Sequence, residues 1–246
     1  MNKIETIKMI KCLSDAHGVS GFEDEVLETI RDFGSTLGTF SEDSLRNLYL
    51  EPECNREEAP VIMLDAHTDE VGFMVKAIRP DGMLEFITIG GWVETNIPSH
   101  MVEVLNEDGV YIPGVVASKP PHFMSEAERN AKLDISSLVI DVGAVSKEEV
   151  VNDFKISIAS PVVPQVKCTY DEKKDILIGK AFDNRLGCAS ILATLKELKD
   201  CPLNCSVKGA FASQEEVGLR GATVTVEKIK PDIAICFEGS PADDTV

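Results

Sequence analysis

The chain has 246 residues with 42 acidic against 24 basic side chains, a formal charge of −18, which opposes a phosphate backbone or an anionic membrane surface and argues against nucleic acid as a partner. With 43% hydrophobic residues it can bury one substantial core and a second, smaller one. No apolar run reaches the roughly 20 residues of a membrane helix, and seven cysteines without a Cys-x-x-Cys pair fit reduced thiols in the cytoplasm.

In chain order, MNKIETIKMIKCLSDAHG alternates Lys with Ile and Met as an amphipathic helix does, and is no signal peptide. A second helix is predicted from Ser20, with Glu23 three residues on as in a capping box and Val26, Leu27, Ile30 and Phe33 along one side. A polar connection follows through Glu58. The apolar run VIMLDA, 61–66, reads as a buried strand that delivers His67 and Asp69 at its C-terminal end, where open α/β sheets place their chemistry. From about Val71 to Pro164, the short candidates VGFMVKAI, MLEFITI, MVEVL and VYIPGVV are separated by turn signals and predict an all-β unit, with a short helix at SKEEVVND. The α/β rhythm then returns with a helix from about Arg185 to Lys199, a strand over 204–212 and the apolar strand IAICF from Ile233. The simplest organisation is an α/β domain in two parts, 1–69 and 165–246, interrupted by a β-rich insert over 70–164.

Four segments, DAHTDE, KAFDNRLG, SQEEVG and CFEGSPADD, carry metal-type or acid-base side chains at the ends of apolar runs. Singly they are weak: a His after a strand commonly serves as a structural hydrogen-bonder, an Asp before a helix as an N-cap, and a Glu-Glu pair as a solvated turn. Arg185 and Arg220 beside them are expected to be ion-pair partners. Together His67, Asp69, Asp183, Glu215, Glu216 and Glu238 supply nitrogen and oxygen donors suited to Zn²⁺, Co²⁺ or Mn²⁺. A pair of ions needs a bridging carboxylate and a nearby base. Asp183, short and at a helix start, suits the bridge. Asp69 suits the task of holding the second imidazole nitrogen of His67. The Glu215–Glu216 doublet suits a division into base and ligand, because neighbours on an extended backbone point opposite ways.

These segments, with GVSGFEDEV, GGW, IPGVVASKPPH and IDVGAVSKEEV in the same order, resemble the glutamyl aminopeptidase and tetrahedral (TET) aminopeptidase family of two-metal peptidases, metallopeptidase family forty-two, over nearly the whole chain. The resemblance implies a zinc-exopeptidase-like α/β/α catalytic domain interrupted by a β-barrel-like insert, which serves dimerisation and assembly into a tetrahedral dodecamer. It implies two divalent ions per subunit, Zn²⁺ or Co²⁺. His67 would hold one ion with Asp69 orienting it, Asp183 would bridge, Glu215 would be the general base and Glu216 a ligand of the other ion. Glu238 stands where the family typically has Asp and keeps a carboxylate for metal. His17, His100 and His122 take no family role.

The family's last ligand is a His in a C-terminal segment, which none of these histidines matches. The chain is therefore expected to be a truncated form of a longer protein, or one that has lost that ligand. The expected function is a cytoplasmic aminopeptidase that releases N-terminal residues of short peptides through a metal-activated water, with Glu215 as base. The rival readings are a non-catalytic family member acting in assembly or peptide binding and, less favoured, a glycoside hydrolase of endoglucanase type working through two carboxyls without metal.

Overall fold

The computed structural model describes residues 2–56 and 58–242. The chain separates into two compact units, residues 1–70 with 167–246 and residues 71–166.

The first unit begins with helix α1 (Lys3–Asp15), whose N-terminus is capped by Asn2 Oδ1 accepting the Glu5 N–H at 2.9 Å. Helix α2 (Asp24–Gly34) buries Val26, Leu27 and Ile30, as its periodicity predicts. It starts three residues later than the Ser20 capping box would have it, with Glu23 at the N-cap position. The Ser20 hydroxyl donates instead to Asp69 Oδ2 at 2.6 Å, and Glu23 Oε1 accepts the Gly21 N–H at 2.9 Å. Both members of the expected box are drawn into long-range or turn contacts, which outcompete a local cap. The stretch read as a polar connection contains two strands, β1 (Thr39–Glu42) and β2 (Leu48–Glu51), paired antiparallel. At four residues each they are too short to show a period against their polar flanks. Strand β3 (Val61–His67) follows.

The second unit contains strands β4 (Gly72–Ile78), β5 (Leu84–Ile89), β6 (Met101–Leu105) and β7 (Tyr111–Ala117), then helix α3 (Glu126–Asn130), strand β8 (Val139–Asp141), helix α4 (Lys147–Asn152) and strand β9 (Pro161–Pro164). The strands close into a barrel in the order β4-β5-β8-β7-β6-β9, which leaves its sheet without an open edge. Its interior is filled by Phe73, Val75, Leu84, Val102, Val104, Ile140 and Val162. Phe73 stacks on Trp92 at 4.6 Å and meets Phe86 edge-on at 5.0 Å. The Pro-Asp-Gly turn between β4 and β5 needs its glycine: Gly82 has φ +83°, and a Cβ there would lie 2.7 Å from the Ala144 carbonyl oxygen.

The first unit resumes with the hairpin of β10 (Thr169–Asp171) and β11 (Ile176–Ile178), helix α5 (Phe182–Leu198), strand β12 (Ser206–Ala212), helix α6 (Arg220–Ile229) and strand β13 (Ile233–Cys236). The main sheet has the order β1-β2-β12-β3-β13, with β12 and β13 parallel to β3 on either side of it. Alternate residues of β3 serve opposite faces. Leu64 and Ala66 join Met9, Leu13, Leu27, Ile30, Ile191 and Leu195 in the core under α1, α2 and α5. Asp65, on the other face, accepts the Thr225 hydroxyl of α6 at 3.2 Å. Each fully buried aliphatic side chain in this core contributes about 1.5–3 kcal/mol. Strand β13 is the sheet edge and leaves Ile233 and Ile235 exposed.

Candidate metal centre

Parallel pairing brings the chemistry to one end of the sheet. Ala212 of β12 stands opposite His67 and Cys236 of β13 opposite Asp65, so the chain leaving each strand arrives beside His67 with Glu215–Glu216 or Glu238. His67 and Asp69 are both buried. The imidazole Nδ1 lies 3.1 Å from the Asp69 carbonyl oxygen and 3.3 Å from Oδ1 of its carboxylate. The opposite nitrogen, Nε2, lies 2.9 Å from Asp183 Oδ1 and 3.7 Å from both Glu215 Oε2 and Glu238 Oε1. Glu216 completes the group: single donor atoms of His67, Glu215 and Glu216 lie within 4.8 Å of one another, as do those of His67, Asp183 and Glu238.

Asp183 reaches the cluster because it does not cap its helix. Its backbone and that of Asn184 are non-helical, and Asn184 Oδ1 accepts the Gly187 N–H at 3.1 Å while its Nδ2 donates to the Phe237 carbonyl at 2.7 Å. Asn184 thus takes the cap role and ties α5 to the segment carrying Glu238. The doublet does not follow the alternation expected of an extended backbone. It opens a turn in which the N–H groups of Gly218 and Leu219 both donate to the Glu215 carbonyl at 2.9 Å, and both carboxylates converge near His67.

The electrostatics of the group favour a cation. Burial acts to lower the His67 pKa, but the hydrogen bond and charge of Asp69, with Glu215 and Asp183 adding, carry it to about 9. Burial raises Glu216 to about 7, the His67 charge opposing and those of Asp69, Glu215 and Asp183 adding. Burial also raises Glu238, with the Asp183 side chain adding. For Asp69 burial works upward too, but its hydrogen bonds with His67 and Ser20 outweigh it and hold the carboxylate below its usual range. One imidazole nitrogen and four carboxylates converging under strain of like charge fit a divalent cation of the Zn²⁺, Co²⁺ or Mn²⁺ kind, with nitrogen and oxygen donors. Binding such an ion would displace the proton from Nε2 and relieve the repulsion.

Several contacts that build this centre carried no local signal. Asp69 Oδ1 accepts the Glu215 N–H at 2.9 Å and its Oδ2 the Glu216 N–H at 3.1 Å, so one carboxylate orients both the imidazole and the doublet. Asn47, buried, accepts the Ser213 N–H through Oδ1 at 2.9 Å. The Arg185 guanidinium, fully buried, donates to the carbonyls of Thr68 (2.8 Å), Leu13 (2.6 Å) and Ala16 (2.9 Å) and lies 3.6 Å from Glu70, which also pairs with Lys180 at 2.7 Å. Arg185 is therefore a carbonyl clamp more than the ion-pair partner its sequence context implies. Arg220 donates to the Gln214 side chain at 3.3 Å.

Glu23 is buried, and burial first, then the Asp69 charge, push its pKa from 4.5 to about 7 against the pull of backbone N–H groups. Between those values the unfolded chain gives up its proton while the folded protein keeps it. Stability of the metal-free protein therefore falls as pH rises through this window, by about 3 kcal/mol at about 1.4 kcal/mol per pH unit. Glu23→Gln removes that loss. Urea midpoints at pH 5 and pH 8 in the presence of chelator should show a steeper decline for the wild type; parallel declines would rule the assignment out.

An α/β unit with a histidine and carboxylates at its strand ends, interrupted by a closed barrel, defines the class of protein: it is the fold of the TET aminopeptidases. A TET aminopeptidase from a marine sediment archaeon of the Thaumarchaeota superposes with a TM-score of 0.92 at 32% identity, over 98% of this chain and 68% of that one. The Pyrococcus horikoshii TET1 peptidase, which can assemble into a tetrahedron or a large octahedral shell, superposes with a TM-score of 0.85 at 28% identity, over 98% of this chain and 72% of that one. Glutamyl aminopeptidase of Lactococcus lactis is 32% identical over 243 residues, 98% of this chain and 68% of the relative. The sequence profile of the M42 glutamyl aminopeptidase family matches residues 47–246, and the chain belongs to that family. It spans about two thirds of the length of the curated relatives it matches.

Proposed function

We propose that the full-length protein is a metal-dependent aminopeptidase that removes N-terminal residues from short peptides. The observation that carries this reading is the convergence of Asp183, Glu215, Glu216 and Glu238 around the buried His67 in a chain of the M42 family. His67, Asp183, Glu216 and Glu238 would hold two divalent ions, Zn²⁺ or Co²⁺, with Asp183 shared; such ions supply Lewis-acid polarisation and an acidified water. Glu215 accepts the proton of the attacking water on its carboxylate and returns it to the leaving amine. Asp69 holds Nδ1 of His67, so that Nε2 faces the centre in the tautomer a ligand needs.

The same reading extends to assembly and location. A homo-oligomer is supported by the tetrahedron or large octahedral shell that the P. horikoshii relative can form; we extend this to dimers assembling into a dodecamer, with the barrel unit as the assembly domain. A cytoplasmic location is supported by seven free thiols. Among the described residues no helix is long and apolar enough to cross a membrane.

Metal removal tests the proposal. Hydrolysis of aminoacyl reporter substrates by the full-length protein should fall at least about 100-fold on chelation and return with added Zn²⁺ or Co²⁺, in keeping with several kcal/mol of metal-derived transition-state stabilisation. Peptide hydrolysis indifferent to chelator would sink the metal reading. Polysaccharide cleavage that survives chelation would favour the glycosidase rival instead.

A further inference from the structure

We propose that Glu23 is a positioning residue of the centre: with Asp69 it holds three consecutive backbone N–H groups, those of Gln214, Glu215 and Glu216, and so sets where the carboxylates of the doublet stand. The proposal rests on the reading of Glu215 as base and Glu216 as ligand.

The three N–H groups are all taken up by two carboxyl groups. Gln214 N–H is 3.2 Å from Glu23 Oε1, Glu215 N–H 2.9 Å from Asp69 Oδ1 and Glu216 N–H 3.1 Å from Asp69 Oδ2. Successive N–H groups converging in this way form an anion-binding concavity, which here is filled by the protein's own two carboxyl groups. The turn depends on it, since Gln214 sits at φ +53°, a left-handed conformation that a non-glycine residue keeps only when its surroundings impose it. The preceding side is already fixed. Asn47 takes the Ser213 N–H, and Gly221 donates to the Ser213 carbonyl at 3.0 Å from so close that a Cβ would stand 2.3 Å from that oxygen. Glu23 closes the remaining side.

A second observation sets Glu23 apart from an ordinary buried hydrogen-bonder. Its other oxygen, Oε2, is buried with no hydrogen-bond partner among the described residues, and the group lies near the negative charge of Asp69. An unsatisfied buried oxygen of this kind carries a desolvation cost that a fold does not keep without use. A carboxyl group kept at that cost directly behind the doublet is what a support for a strained functional segment requires.

The test uses the full-length protein with Glu23→Ala, Glu23→Asp and Glu23→Gln. Ala removes the acceptor, and Asp is one methylene short of Gln214. Gln keeps the acceptor oxygen and loses only the acidic group. Two quantities are read: kcat and KM on an aminoacyl reporter substrate, and the affinity of the metal-stripped protein for Co²⁺ by visible absorbance. Ala and Asp should lower kcat by about 10- to 100-fold with KM within about threefold, and weaken Co²⁺ binding by about 10- to 100-fold, while Gln recovers both to within about threefold. Wild-type kcat and Co²⁺ affinity in the Ala and Asp variants would overturn the proposal. So would equal losses in all three variants, or a smaller folded fraction with unchanged kcat per folded molecule. A wild type without metal-dependent peptide hydrolysis would instead defeat the aminopeptidase reading, and the Co²⁺ titration of the same variants would still decide the positioning role.

Discussion

If Glu215 is the base, Glu215→Gln in the full-length protein is expected to lower kcat by about 10²- to 10⁴-fold while the bound metal content stays at the wild-type level, the range that a positioned general base contributes. The substitution is nearly isosteric. It leaves the Glu215 N–H on Asp69 and the carbonyl in its turn, and removes only the carboxylate that lies 3.7 Å from His67 Nε2. Glu216→Gln is the necessary contrast, since loss of a ligand should empty metal before it slows chemistry. Steady-state kinetics with metal analysis on both variants separates the roles. Near-normal turnover in Glu215→Gln would remove it as base, and metal loss in Glu215→Gln with retention in Glu216→Gln would exchange the two assignments.

Arg185→Met destabilises the protein by about 3–5 kcal/mol, the cost of breaking a buried charge network by removing one partner. The loss has two sources. The carbonyls of Leu13, Ala16 and Thr68 lose a charged donor, and Glu70 is left with Lys180 alone to balance it among the cations described around it. Thr68 lies between His67 and Asp69, so the residual folded protein should also bind metal more weakly. Urea denaturation of metal-free wild type and variant gives the first effect; a difference below about 1 kcal/mol would show that the carbonyls find other donors.

The six residues proposed for the centre could be singled out because five of them follow apolar runs of strand length, which predict where a sheet ends, and Asp183 stands at the start of a helix. VIMLDA announced β3 and so placed His67 and Asp69, and the Ser206–Ala212 strand placed the doublet beyond it. The all-β character of the insert was readable from its turns, of which Pro-Asp-Gly around Gly82 is the clearest, while a barrel-like form was implied only by the family resemblance. The capping box at Ser20 misled because its pattern is local while the partners of Ser20 and Glu23 are not: Asp69 lies 49 residues from Ser20, and Gln214 lies 191 residues from Glu23. The doublet's geometry misled for a related reason, since the alternation of a strand does not continue into a turn held open from outside.

Hydrophobic periodicity, turn chemistry and the kinds of side chain at strand ends suffice for an α/β chain with a β insert and a histidine-carboxylate donor set, because those signals are short-range and repeat. Strand order is different. That β12 and β13 flank β3, bringing Glu215, Glu216 and Glu238 to one imidazole, follows from pairings between segments more than 140 residues apart. Sequence spacing has no term for such pairings. The supports of the centre, Ser20, Glu23, Asn47, Asn184 and Arg185, belong to the same category, because a buried polar group takes its role from whichever backbone group the fold leaves unpaired beside it.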